Sequence, residues 1–272
     1  MTMASLAVPA GLGSGCTLFS AGTLASTAAS KPFLPPIVKP QEAVSVEIML
    51  ADRAAGDPMF GSALWSNLNE ISATSPANRN LLRKTGFQYG LSPSTPPFAV
   101  QALLSSDGKS ATQRVQRLKY GFPSGGEHVV ETWPEVPLLE CPLPAGGQKL
   151  EKRTFKSARC IFRIRVEKAE EGWARLDFMP EIHHGPVVAK RVPSEHGWLF
   201  QEGQEIEALH DLRFSAELNL AELAVIGLSE NSESSLGHCF FRGATEGRLE
   251  RVLMIRLADL YEVQPVRQLD HA

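Results

Sequence analysis

The stretch RTFKSARCIFRIRVEKAEEGWARLDFMPEI, residues 153–182, decides the architecture. In its first half Phe162, Ile164 and Val166 alternate with Ile161, Arg163 and Arg165. That two-residue period belongs to a strand with one apolar face and one face carrying arginines. The segment EKAEEGW then breaks the alternation and predicts a hairpin into a second strand, ARLDFMPEI.

Working outward, the same pattern repeats from about residue 112 onward. QRLKYGF, EHVVETW, EVPLLECPL, GPVVAKRV, AELAVIGL, GHCFFRG and RLERVLMIRLADLYEV are each bounded by Gly, Pro, Asn, Asp or Ser, which reads as strand after strand. LGHCFFRGATEGRLERVLMIRL is expected to be a hairpin turning at Ala244 to Gly247. Upstream the pattern is mixed. VSVEIMLADR alternates Val44, Val46, Ile48 and Leu50 as a half-buried strand does. Asp57 followed by Pro58 predicts a capped helix with Phe60, Leu64, Trp65 and Leu68 at helical spacing, and Ser75, Pro76 and Gly86 bracket a second helix. GFQYGL reads as a strand and TPPFAVQALLSS as a third helix beginning near Pro96. The expected fold class is α+β, a small α+β domain over 41–111 followed by a mainly antiparallel β domain over 112–272.

Composition narrows the functional classes. A net charge of -3 over 272 residues leaves no broad basic field, so nucleic acid is not an expected partner. No uncharged apolar run reaches the roughly 18 residues of a membrane helix. The four cysteines, Cys16, Cys141, Cys160 and Cys239, form no C-x-x-C pair. Buried free thiols are the plainer reading of Cys160 and Cys239, and one bridge in an oxidising compartment stays open.

Residues 1–30 carry no charged side chain. Within them LGSGC, with Leu12, three small residues and Cys16, resembles the lipobox of bacterial lipoproteins. The resemblance implies cleavage before Cys16 and a diacylglyceryl group on its thiol, placing the protein at the cell envelope. The small-residue and proline-rich run up to residue 40 cannot bury enough apolar surface to fold and suits a tether. The alternative is a cytoplasmic chain in which Cys16 has no such role.

The run from RTFKSARCIFRIRVEK through EIHHG to FSAELNLAELAVIGL, with Pro180, Glu181, Val225, Ile226 and Gly227, resembles the β-domain of bacterial secretins. The whole chain also looks like a lipoprotein family of planctomycete-type bacteria, through Leu64-Trp65, Gly86 to Gly90, Pro180 to Gly185 and Leu236 to Phe241. Together these imply an envelope lipoprotein and carry over no activity.

Candidate chemistry is sparse. In EIHHG, Glu181 and His183 share one face of a strand and His184 points the other way. Glu181 and His183 with His238 make the one plausible metal set, and a metal-dependent hydrolase using them is the alternative function, since catalytic zinc takes three protein ligands and a water. There is no G-x-S-x-G elbow, and SSDGKS and PSGGEH lack the spacing of a phosphate loop. The leading expectation is a non-catalytic, lipid-anchored protein without a cofactor, binding an envelope protein or its own copies. Phe240 and Phe241 are its expected contact patch.

Overall fold

The strand predicted at residues 44–53 extends over Gln41–Ala54 (β1), and both of its faces are buried rather than one. A computed structural model describes residues 41–70, 75–105, 113–145, 149–194, 197–229, 234–243 and 248–263. The expected tether at 1–40, including the lipidation site Cys16, lies outside the described residues.

Β1 is an interior strand of a five-stranded antiparallel sheet. Its other members are Phe87–Ser92 (β2), Arg114–Pro123 (β3), Leu223–Leu228 (β9) and Leu249–Val263 (β10), in the order β2-β9-β10-β1-β3. A second antiparallel sheet holds Glu127–Pro144 (β4), Leu150–Glu170 (β5), Trp173–Ser194 (β6), Gly197–Ala208 (β7) and Phe214–Asn219 (β8). Β6 serves two partners in succession. Trp173 to Phe178 pair with β8, and Glu181 to Ser194 pair with β7. The decisive stretch is β5 and β6, joined at Glu170 and Trp173 around Gly172, whose φ of 85° an L side chain would strain.

The fold class is the expected one: a mixed α/β region at the amino-terminal end, then a predominantly antiparallel β region. The split at 111/112 is corrected. Lys39–Ala272 is one unit, because β1 pairs with β10 and β2 with β9. Pairings between residues about 130 to 220 positions apart leave no trace in local periodicity.

Two apolar clusters flank the first sheet. Val44, Val46, Ile48 and Leu50 join Phe162, Ile164, Leu176 and Phe178 of the second sheet. Met49, Ala51, Val252 and Met254 face Leu64 and Trp65 of Ser62–Trp65 (α1) and Val100 and Leu103 of Phe98–Leu104 (α3). The layers are therefore helices, sheet, sheet.

The caps were legible. Asp57 Oδ1 accepts from Met59 N at 2.9 Å, although the predicted helix is broken at Gly61 into the 3-10 turn Pro58–Phe60 and α1. Ser75 Oγ accepts from Asn78 N at 3.3 Å to start Pro76–Lys84 (α2). GHCFFRG is corrected from strand to helix. Leu236–Phe241 (α4) opens with Ser235 Oγ accepting from His238 N at 3.1 Å. Β-carbon space is absent at Gly237, where such an atom would overlap the carbonyl oxygen of Gly86, so α4 sits directly on the turn between α2 and β2.

Phe240 and Phe241 are corrected as well. Both are 0% exposed. They pack with Phe87 and Phe162, at ring-centroid distances of 5.2 Å for Phe87–Phe240 and 5.5 Å for Phe162–Phe240, both edge-on. Such pairs add about 0.5–1.5 kcal/mol beyond burial. They are core and present no contact patch.

Candidate interaction surface on the second sheet

Strand alternation sends Arg163 of β5 and Glu181 and His183 of β6 to the face of the second sheet away from the core. Arg163 grips Glu181 with two bonds, Nε to Oε1 at 2.6 Å and Nη2 to Oε2 at 3.0 Å, and reaches Glu127 of β4 with Nη1 at 2.5 Å. His183 Nε2 lies 2.8 Å from Glu181 Oε2. Burial alone would raise the Glu181 pKa, but hydrogen bonds from His183 and Arg163 outweigh it and hold the carboxyl below the ordinary range. Both carboxylate oxygens are committed, so the cluster ties β4, β5 and β6 together.

Neighbouring ties repeat the device. Arg159 Nε donates to Gln204 Oε1 at 2.8 Å, and Gln204 Nε2 donates to the carbonyls of Ser157 and Gly185 at 2.8 and 2.9 Å. Arg213 Nε lies 2.8 Å from both oxygens of Asp177, and its Nη2 reaches Glu167 at 2.9 Å.

The expected metal set is brought together only in part. Glu181 and His183 are adjacent, while His238 sits on α4, and among the described residues no group of three His, Cys, Asp or Glu side chains is placed to hold a metal ion. His184 faces the other way, its ring 4.8 Å from that of Phe155 and its Nδ1 3.9 Å from Glu205.

Past His184 the sheet changes character. Β5 pairs with β6 only as far as Arg159 and His183, so from Val188 to Ser194 β6 has β7 alone as partner. This two-stranded ribbon exposes Trp198 (70%) and Phe200 (68%), together with Val187, Val188 and, nearer the sheet, Ile206. Trp198, Phe200 and Ile206 share strand parity, and the Arg191 guanidinium lies 5.1 Å from the Phe200 ring centroid. Sequence reading missed β7 altogether. The available signal was the apolar run GPVVAKRV, a Pro-Ser-Glu-His-Gly turn and the apolar run WLF, the pattern of a hairpin.

Comparison with known proteins adds little beyond this. No family model and no curated protein matches the chain. Among solved structures it is similar to the type IV competence pilus secretin PilQ of V. cholerae, at 10% identity and a TM-score of 0.24, over 84% of this chain and 62% of that one. It is also similar to the secretin-domain β-barrel of InvG from the Salmonella SPI-1 injectisome, at 10% identity and a TM-score of 0.23, over 86% and 66%. A chain of the ETEC pilotin–secretin complex AspS–GspD matches at 11% identity and a TM-score of 0.22, over 84% and 50%. The chain spans less than two thirds of each, and its resemblance to secretins is distant and of low identity.

Proposed function

We propose that this protein is a non-catalytic lipoprotein of the cell envelope that acts as a protein-interaction or assembly module. The observation carrying the module reading is the β6–β7 ribbon, with Trp198 and Phe200 about two-thirds exposed at its far end. Large aromatics are seldom left open on a two-stranded projection without a partner to cover them. Β7 is also the last strand on its side of the sheet. That edge can accept a partner strand while the aromatics anchor it.

The envelope reading rests on the lipobox-like LGSGC ending at Cys16 and on the uncharged small-residue composition of residues 1–30. The metal-dependent alternative gains no support, since Glu181 has both oxygens engaged by Arg163 and His183.

Two measurements test the two halves separately. The mass of the mature amino terminus, after expression in a bacterium that processes lipoproteins, is expected to show a diacylglyceryl group on Cys16 with the preceding residues removed. An unmodified Met1 end would refute the anchoring. A photo-crosslinking residue at position 198 is expected to capture a defined envelope protein or a second copy. A chain that stays monomeric and captures nothing refutes the module.

A further inference from the structure

Three thiols far apart in sequence meet where α4 docks on β4. Cys239 of α4 approaches the carbonyl of Glu140, with Sγ 3.8 Å from that oxygen, and the next residue on β4 is Cys141. The Cys141 thiol lies near enough to that of Cys239 for the two to interact, as does the Cys160 thiol of β5, and all three side chains sit in one buried apolar cluster. Around them the contact is tight. Trp133 covers Gly243 just past α4, leaving no room there for a β-carbon, and Thr132 Oγ1 donates to the Cys160 carbonyl at 3.2 Å.

In the chain α4 connects β9 to β10, both of the first sheet, whereas β4 belongs to the second. A covalent link between Cys141 and Cys239 would therefore staple the two layers. A second connection already lies close by. Arg251 of β10 binds both oxygens of Asp52 at 2.6 and 2.9 Å and donates to the Thr132 carbonyl of β4 at 2.6 Å.

We propose that Cys141 and Cys239 are a disulfide-forming pair that joins the two sheets when the protein meets a disulfide oxidant, with Cys160 remaining a thiol. The Cys239 thiolate attacks the oxidant's disulfide, forming a mixed disulfide and releasing one thiol. Cys141 then displaces the second oxidant sulfur as a thiol. Two cysteine thiols are oxidised, one low-molecular-weight or protein disulfide is reduced to two thiols, and the two protons pass to the leaving sulfurs. Cys239 suits the attacking role because the neighbouring Cys141 thiol lowers its pKa, against the opposing effect of burial. All three thiols are buried, so bridging proceeds when α4 lifts from β4 or before the layers close. The inference is independent of whether Cys16 carries lipid.

The test uses the full chain with Cys16→Ser, which leaves three thiols. The reduced protein is exposed to oxidised glutathione in its native state and, separately, during refolding. Free thiols are then alkylated under denaturing conditions and the peptides mapped by mass. The expected result by either route is one alkyl group, on Cys160, with the Cys141 and Cys239 peptides joined. The bridged form is expected to melt roughly 5–10 °C above the reduced form. Three alkylated cysteines by both routes, a bridge through Cys160, or a bridged form that melts lower would each overturn the proposal.

Discussion

The two sheets solve the same problem in opposite ways. The first is covered on both faces, by the second sheet and by the helices, so β1 and β10 read as near-continuous apolar runs such as VLMI at 252–255. The second has a single covered face. Its strands alternate, and the outer face ties its own charges together through Arg163, Arg159 and Arg213. Self-pairing leaves most of the charges on the second sheet's outer face satisfied. Among the described residues of the second sheet, the largest apolar side chains open to a partner, Trp198 and Phe200, stand where β6 and β7 run on without β5.

The largest effect that could break this contrast lies within two adjacent residues of β6. Phe178 is 0% exposed and stacks on Phe214 at 5.1 Å, while Met179 lies on the outer face and is half-buried. Phe178→Ala is expected to lower the unfolding free energy by about 3–5 kcal/mol, and Met179→Ala by about 1 kcal/mol or less. Urea midpoints measure both. Equal losses would mean that the outer face is as tightly packed as the core.

An intermediate effect is expected from the ionic ties. Arg163→Met strands the buried Glu181 carboxylate and is expected to cost about 2–3 kcal/mol, while adding Glu181→Leu recovers most of that loss. A double-mutant cycle from denaturant curves reports it, and a second substitution that only adds to the loss would show packing rather than charge at work.

The pH dependence sharpens the same point. The folded pKa of Glu181 lies below its ordinary 4.5, so its contribution is fully present above that value and is lost as pH falls through the lowered one. Glu250 on β10 has the opposite sign. Burial raises its pKa despite Arg242, whose Nε is 2.9 Å from its Oε2, so its contribution is present below 4.5 and is lost as pH rises through the raised value. Melting curves between about pH 3 and pH 6 are expected to be steeper for Glu250→Gln and flatter for Glu181→Gln than for the unsubstituted chain.

What was legible in the sequence follows from how local each cause is. The β5–β6 hairpin and the Ser75 and Asp57 caps are decided within a few residues, and they stand where the pattern put them. Leu236–Phe241 misled because an apolar run buried on every side has no period to read. Its only helical sign was Ser235, three residues before the His238 amide it caps. The pairing of β1 with β10 depends on residues some 200 apart. At the candidate surface, the adjacency of Glu181 and His183 was legible from strand parity, but the partner that closes the cluster, Arg163, comes from the neighbouring strand through register. Hydrophobicity alone points to Phe240 and Phe241 as a contact patch, whereas the aromatics exposed on the second sheet are Trp198 and Phe200, on a strand hidden by its run of Gln and Glu.

The smallest expected stability effect is also the one that bears most on function. Trp198 and Phe200 make few contacts within the chain, and the Arg191–Phe200 stack is an exposed cation–π pair, worth about 0.5–1 kcal/mol. Replacing both aromatics with serine is therefore expected to change the unfolding free energy by no more than about 1 kcal/mol, while abolishing capture of the partner seen with a crosslinker at Val188 on the same ribbon. Stability and capture then respond to different residues, as they must if the second sheet's extension is a docking element. A double-serine chain that melts as low as Phe178→Ala would make the ribbon part of the core, and one that still captures its partner would move the contact elsewhere on the sheet.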